Sequence, residues 1–213
     1  LWDDDELELV GAYRMIRSKR LIDENDPVDQ LYTQTLFNFT PAFNRYLPQG
    51  LELGRSFVQP RYWGKRSLDY LWYGIGAYLK KYPDIRYLYG PVSISAAYPM
   101  DAKSLLVNFY SHFFPSRKLL AEAKNPYSVD CSAVPEYSYG QEYKECFVEL
   151  KSAMSDLGVS VPTLYKQYTE LCESGGAQFT SFNIDPDFSN CIDGLIVVDL
   201  SKVKESKRKR YLG

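Results

Sequence analysis

The chain has 213 residues, is 45% hydrophobic and 24% charged, and carries a net charge of −2. That length and composition fit one medium globular domain with its own core, and exclude a low-complexity or disordered chain. The near-neutral charge argues against a whole-chain nucleic-acid binder, and no run approaches the ~20 apolar residues of a membrane span.

The four cysteines (Cys131, Cys146, Cys172, Cys191) contain no CxxC pair, and His112 is the lone histidine. No metal site is therefore expected, and the cysteines read as reduced thiols of a cytoplasmic protein. The nineteen tyrosines suit half-wet clefts, with an apolar body and a polar tip. No signal peptide is visible at Leu1-Trp2-Asp3-Asp4-Asp5. The absence of an initial methionine suggests a sequence that begins inside a longer gene product.

In chain order, Leu7–Ile16 alternates as a strand does, and Asn25-Asp26-Pro27 signals a turn. Leu31–Phe39 is either a strand or an irregular lid. Leu51–Val58 reads as a strand carrying Glu52 and Arg55, and Gln59–Arg66 as a cationic turn. From Ser67, expected as N-cap, Leu68, Leu71, Trp72, Ile75 and Leu79 form the apolar stripe of a helix that ends at Lys80, Lys81 and Pro83. Ile85–Ser95 is a buried strand interrupted by Gly90-Pro91, which predicts a bulge or a parting from its neighbour. Helices are expected over Asp101–Phe114, Tyr143–Leu157 and Pro162–Ser174. A connection over 116–142 includes a short helix at Lys118–Ala123, and late strands cover Gln178–Phe182 and Gly194–Leu200. The order predicts an α/β (α+β) chain with a mixed sheet.

Leu51–Leu79 organises these pieces. A strand, a cationic turn with one glycine and a helix N-terminus together suit a phosphate-bearing ligand. Gly64 lets the backbone approach closely, while Arg61, Lys65 and Arg66 supply counter-charge. The turn is neither a Walker A loop nor a dinucleotide fingerprint. A solvated basic loop is the plain alternative.

Glu52-Leu53-Gly54-Arg55-Ser56-Phe57-Val58, Pro60 and the Arg61–Arg66 turn resemble the GNAT-like acyl-acyl-carrier-protein N-acyltransferases. These make ornithine and glycine lipids and are sometimes labelled hemolysins. The resemblance continues through Arg86–Ser95, Val161–Tyr168, Ile192–Gly213 and Val10–Arg14. It implies a GNAT-like mixed central sheet with a splayed strand pair flanked by helices. It also implies a single acyltransferase domain over 1–213, lacking the strand and two helices that normally precede Val10, with 116–142 as a family-variable insert. The expected reaction moves a (3-hydroxy)fatty acyl group from acyl carrier protein to the amine of an amino acid or amino-acid lipid precursor. No cofactor would be permanently bound; acyl-phosphopantetheine on the carrier, or acyl-CoA, is the donor. Arg66 stands where the general acetyltransferase turn has a small residue, which loosens the coenzyme A cradle and favours a carrier-protein donor.

On this reading the donor meets Val58, Arg61, Gly64, Lys65, Arg66 and Ser67, with a free backbone N–H near Phe57–Val58 facing the thioester carbonyl. Glu52 is the expected base or amine-orienting carboxylate, and Arg55 holds a substrate carboxylate or organises neighbouring acids. The plain alternative for Glu52 and Arg55 is a buried ion pair. His112 and Tyr110 are weaker candidates for acid–base work, and the aromatic runs 36–39 and 109–114 either line an acyl tunnel or form ordinary core. The basic tail Lys202–Arg210 is a solvated end, or a contact for acidic carrier protein or anionic membrane, the latter making the protein peripheral to the inner membrane. The autoinducer synthases are similar at the E-x-x-R strand, leaving acyl-homoserine-lactone synthesis as a second enzymatic reading. A non-catalytic lipid- or carrier-binding module is a third.

Overall fold

Alternation in the chain's apolar residues is realised as a five-stranded mixed sheet. The computed structural model describes residues 1–23, 31–132, 134–138 and 140–213, so the expected turn at Asn25-Asp26-Pro27 lies outside the described residues. A short hairpin of β1 (Trp2–Asp3) and β2 (Glu8–Leu9) leads into β3 (Gly11–Arg17) and the helix α1 (Ser18–Asp23). The strand expected over 7–16 is thus two strands parted at Val10. Next come α2 (Thr33–Leu36), β4 (Phe37–Phe39), β5 (Gly50–Val58), α3 (Ser67–Lys81) and β6 (Tyr87–Ile94). The second half supplies α4 (Met100–Phe113), β7 (Ala121–Ala123), α5 (Tyr143–Asp156), α6 (Thr163–Leu171), β8 (Ala177–Asp185), β9 (Cys191–Asp199) and α7 (Glu205–Tyr211).

The sheet order is β3-β5-β6-β9-β8, with β5 and β6 parallel and the other neighbours antiparallel. Period-two burial sorts the strands' side chains onto two faces. Leu51, Leu53, Leu88, Val92, Ile192, Ile196 and Val198 join a core built with α3, α4, α5 and α6. Tyr89, Leu195 and Val197 face the other way, onto Phe37, Phe43, Leu120 and Ala121.

Four expectations are corrected. The short helix placed at Lys118–Ala123 is instead β7, paired with β4 (Phe37↔Ala123, Phe39↔Ala121). Local propensity favoured a helix, but the buried Leu120 and Ala121 are held by pairing to a segment some eighty residues earlier. The run 31–39 is a helical turn followed by a strand, not a single element. The basic tail is no free end: α7 lies on α3, with Tyr211 Oη donating to Asp69 (2.9 Å), Arg210 ion-paired to Asp69, and Tyr211 beside Trp72. Gly76 permits that approach, since a Cβ there would run into the Tyr211 carbonyl. The start of α3 is one residue earlier than expected, with Arg66 rather than Ser67 as N-cap.

Candidate active site

The parallel pair β5/β6 joins through only three residue pairs, Gly50↔Tyr87, Leu51↔Leu88 and Glu52↔Tyr89. Beyond Tyr89 the strands part, while β6 stays paired with β9 through Gly90 and Pro91. Gly90 has φ +155°, and a Cβ at this position would meet the Leu53 carbonyl oxygen. Pro91 lacks an N–H donor. The parting expected at Gly90-Pro91 is therefore present.

Between the parted strands lies a cleft of about 260 Å³, walled by Leu53 to Ser56, Pro91 to Ser93, Leu164, Tyr168 and Asp193, with Tyr32 and Phe188 at one side. Through Ser56 and Leu164 it meets a larger groove of about 580 Å³. Through Tyr32, Arg55 and Phe188 it meets an outer pocket of about 350 Å³ on the other side. The three cavities adjoin in series, sharing these wall residues.

The large groove takes Val58, Gly64, Lys65 and Ser67 from the expected donor residues. Gly64 adopts φ +74°, a conformation glycine reaches without strain. Two helix N-termini border the groove: Ser67 and Leu68 open α3, and Thr163 and Leu164 open α6. Their first amide groups lack intrahelical acceptors, so both ends favour an anion. Arg61 and Arg66 do not line this groove. Arg61 is paired with Glu8 (2.6 Å) and Glu6 (3.4 Å), and Arg66 with Asp69 (3.8 Å).

Glu52 and Arg55 are also separated. Glu52 is 1% exposed, and its carboxylate accepts the amides of Tyr32 (3.2 Å) and Thr33 (2.9 Å) and pairs with Arg14 (3.4 Å). It lines none of the three cavities. Its ion-pair partner is Arg14, not Arg55. Arg55 has φ +55° and sits where the β3/β5 register slips, between the pairs Ala12↔Phe57 and Arg14↔Gly54. The two intervening residues of β5 oppose Tyr13 alone, which makes a bulge. A left-handed non-glycine residue costs about 1–2 kcal/mol and is a mark of functional sites. The guanidinium of Arg55 lies 4.5 Å from the centroid of the Tyr32 ring.

The sequence reading missed three residues of this wall. Tyr32 Oη donates to Asp185 Oδ2 (3.0 Å). Asp193, 2% exposed, accepts from Ser93 Oγ (2.5 Å) and from Cys191 Sγ (3.6 Å). Burial pushes the Asp193 carboxyl above its usual range; the Ser93 hydroxyl opposes this, Asp185 adds to it, and Arg55 opposes it again. Burial likewise pushes the Cys191 thiol up to about 12. A lone carboxylate inside the apolar run Cys191–Val198 was the available signal, but the strand had been started at Gly194.

The donor atoms of Asp185, Cys191 and Asp193 lie within 4.8 Å of one another. Hydroxyls of Tyr32 and Ser93 already serve these carboxylates, and Arg55 supplies positive charge nearby. The trio is better suited to holding and moving protons than to holding a cation. Tyr110 is wholly buried among Tyr165, Phe179 and Phe114, its hydroxyl unpartnered, and burial pushes its phenol far up. His112 stacks near Tyr137 and Phe113. Neither lines these cavities. Phe37 and Phe109 are core residues.

Residues 1–73 match a family model described as an acetyltransferase (GNAT) domain. Over its whole length the chain is 27% identical to the glycine N(alpha)-acyltransferase of Bacteroides thetaiotaomicron, covering 65% of that protein. It is 25% identical to the glycine N(alpha)-acyltransferase of Phocaeicola vulgatus, covering 68% of it. Over 94% of the chain it is 28% identical to the L-ornithine N(alpha)-acyltransferase of Agrobacterium fabrum, covering 61% of that protein. The chain thus spans roughly two thirds of the length of these relatives. No solved structure matches it. The GNAT match covers the part of the chain that supplies β3, β5 and the start of α3, and the described residues form a five-stranded mixed sheet flanked by helices. The chain is similar along its length to glycine and L-ornithine N(alpha)-acyltransferases, and over its first third to a GNAT acetyltransferase domain.

Proposed function

We propose that this domain transfers a fatty acyl group from a phosphopantetheine thioester to the amine of an amino acid. The observation that carries the reading is the series of adjoining cavities at the parted β5 and β6. It joins a groove bordered by two helix N-termini to a pocket containing carboxylates and Arg55. A phosphate suits the helix ends and Lys65, and the slender pantetheine arm suits the groove leading inward. The thioester carbonyl would then stand between the bulged β5 and Pro91, where an unpaired strand amide can stabilise the developing oxyanion. One such donor is worth about 2.7–4 kcal/mol. The acceptor would approach from the Tyr32, Arg55 and Phe188 side.

The favoured donor is acyl carrier protein, because Arg61 and Arg66 are drawn away from the groove and leave Lys65 with the helix ends to meet one phosphate; a long, 3-hydroxylated chain is what the resemblance implies. Lys204, Lys207 and Lys209 give the chain's last segment a local excess of positive charge suited to an acidic carrier or an anionic membrane surface. The single-domain organisation over 1–213, with 116–142 as a variable insert, belongs to the same reading.

The test incubates the protein with 3-hydroxyacyl-acyl-carrier-protein or the matching acyl-CoA and a panel of amino acids, with amides detected by mass spectrometry. Amide formation with preference for the carrier donor is expected. Tight carrier binding with no amide from any amine would leave a non-catalytic module. Glu52→Gln assigns the buried carboxylate. A base loses about 10²–10⁴ in turnover with stability intact. A carboxylate that holds Tyr32 and Thr33 in place costs about 1–3 kcal/mol of stability when one acceptor is lost.

A further inference from the structure

Arg55 and Asp193 face one cleft from different strands, and they carry the two charges an α-amino acid would need opposite its own. We infer that the acceptor is recognised as a zwitterion, with Arg55 binding its carboxylate and Asp193 accepting the proton of its ammonium group. This inference rests on the acyl-transfer reading and adds to it the residue that binds the acceptor's carboxylate and the proton acceptor.

Both residues line the cleft between the parted strands, and Arg55 also lines the outer pocket through which an acceptor would enter. Arg55 is exposed and, among the described residues, forms no salt bridge with a carboxylate, yet it is held in place. Its guanidinium lies over the Tyr32 ring, and Tyr32 is itself tied by its amide to Glu52 and by its hydroxyl to Asp185. A planar guanidinium with free donors suits bidentate binding of a carboxylate. Its strained backbone belongs to a bulge that turns β5 at this point. Asp193 sits deeper, its carboxylate oriented by Ser93 and Cys191, on the strand that β6 still pairs with.

The chemistry balances. Asp193 takes one proton from the acceptor's ammonium. The freed nitrogen lone pair attacks the thioester carbon, the C–N bond forms and the carbonyl π pair moves to oxygen. Collapse re-forms the carbonyl and breaks the C–S bond. The departing thiolate takes the second nitrogen proton, yielding amide and thiol, and Asp193 returns its proton to solvent.

The test compares glycine with glycinamide, which keeps the ammonium group and lacks the carboxylate, using one acyl donor throughout. Arg55→Gln should raise the KM for glycine about 10- to 100-fold and lower kcat/KM for glycinamide far less than kcat/KM for glycine. Arg55→Lys should fall between. Asp193→Asn should lower kcat about 10²–10⁴-fold with both acceptors. Circular dichroism and Tm establish that each variant is folded. A folded Arg55→Gln enzyme impaired equally towards both acceptors would overturn the carboxylate assignment, as would a wild-type enzyme that uses both equally. An Asp193→Asn enzyme with full kcat would overturn the proton assignment. If the wild type makes no amide from any donor, the transfer reading itself fails. Calorimetric binding of glycine, lost in Arg55→Gln, then still decides the carboxylate site.

Discussion

Asp193 combines burial, a hydrogen-bonded carboxylate and a place on the cleft wall, and those three properties make opposite demands on stability and chemistry. Burial holds its carboxyl above the ordinary range, with Ser93, Asp185, Cys191 and Arg55 facing it from β6, β8, β9 and β5 and Tyr32 reaching Asp185 from beside α2. A folded-state value raised above the unfolded one means that this group's contribution to stability is present below the unfolded carboxylate value of ~3.9. That contribution is lost as pH rises through the folded value. Asp193→Asn should therefore be more stable than wild type at pH 7–8, with the difference shrinking towards pH 4, in denaturant titrations across that range. The same variant should lose the acidic limb of the kcat profile. A variant less stable than wild type at pH 8 would show that the carboxylate's hydrogen bonds outweigh its desolvation. Glu52 and Arg55 were legible as a pair in the sequence because charges inside a nine-residue strand stand out. Their partners were not: Arg14 and Tyr32 lie 38 and 20 residues from Glu52.

At the scale of elements, the cleft depends on how β6 leaves β5 while keeping β9. Gly90 is the position where this is decided, because only a residue without Cβ fits against the Leu53 carbonyl at φ +155°. Gly90→Ala should cost about 1–3 kcal/mol from backbone strain and overpacking. It should also lower acyl transfer, since the strands must shift to admit the methyl group. Chemical denaturation and steady-state rates check both effects; unchanged stability would mean that β5 yields without cost. The helices α3 and α5 were legible from their apolar stripes. The strand β7 and helix α7 were not, because short segments take their structure from what they dock against: β4 for one, Asp69 and Trp72 of α3 for the other.

At the scale of the whole molecule, the two helix N-termini that border the large groove come from α3 and α6, about a hundred residues apart in sequence. Lys65 is the cation of the basic turn that lines this groove, so Lys65→Glu should raise the donor KM with little effect on the acceptor KM. The wild-type donor KM should itself rise with salt, since exposed charges are screened over ~8 Å at physiological ionic strength. A donor KM indifferent to both changes would remove the phosphate from this groove.

The sequence by itself determined the mixed α/β class, the strand–turn–helix unit over 51–79, the parting at Gly90-Pro91 and the resemblance to amino-acid N-acyltransferases. All of these are written in local periodicity, special residues or a contiguous motif. Only the tertiary structure decided which charges meet. It drew Arg61 to Glu6 and Glu8, sealed Glu52 behind Tyr32 and brought Asp193 to the cleft beside Arg55. The physical reason is that charge pairing and desolvation act through space and are set by which strands become neighbours, and no local pattern in the chain specifies that order.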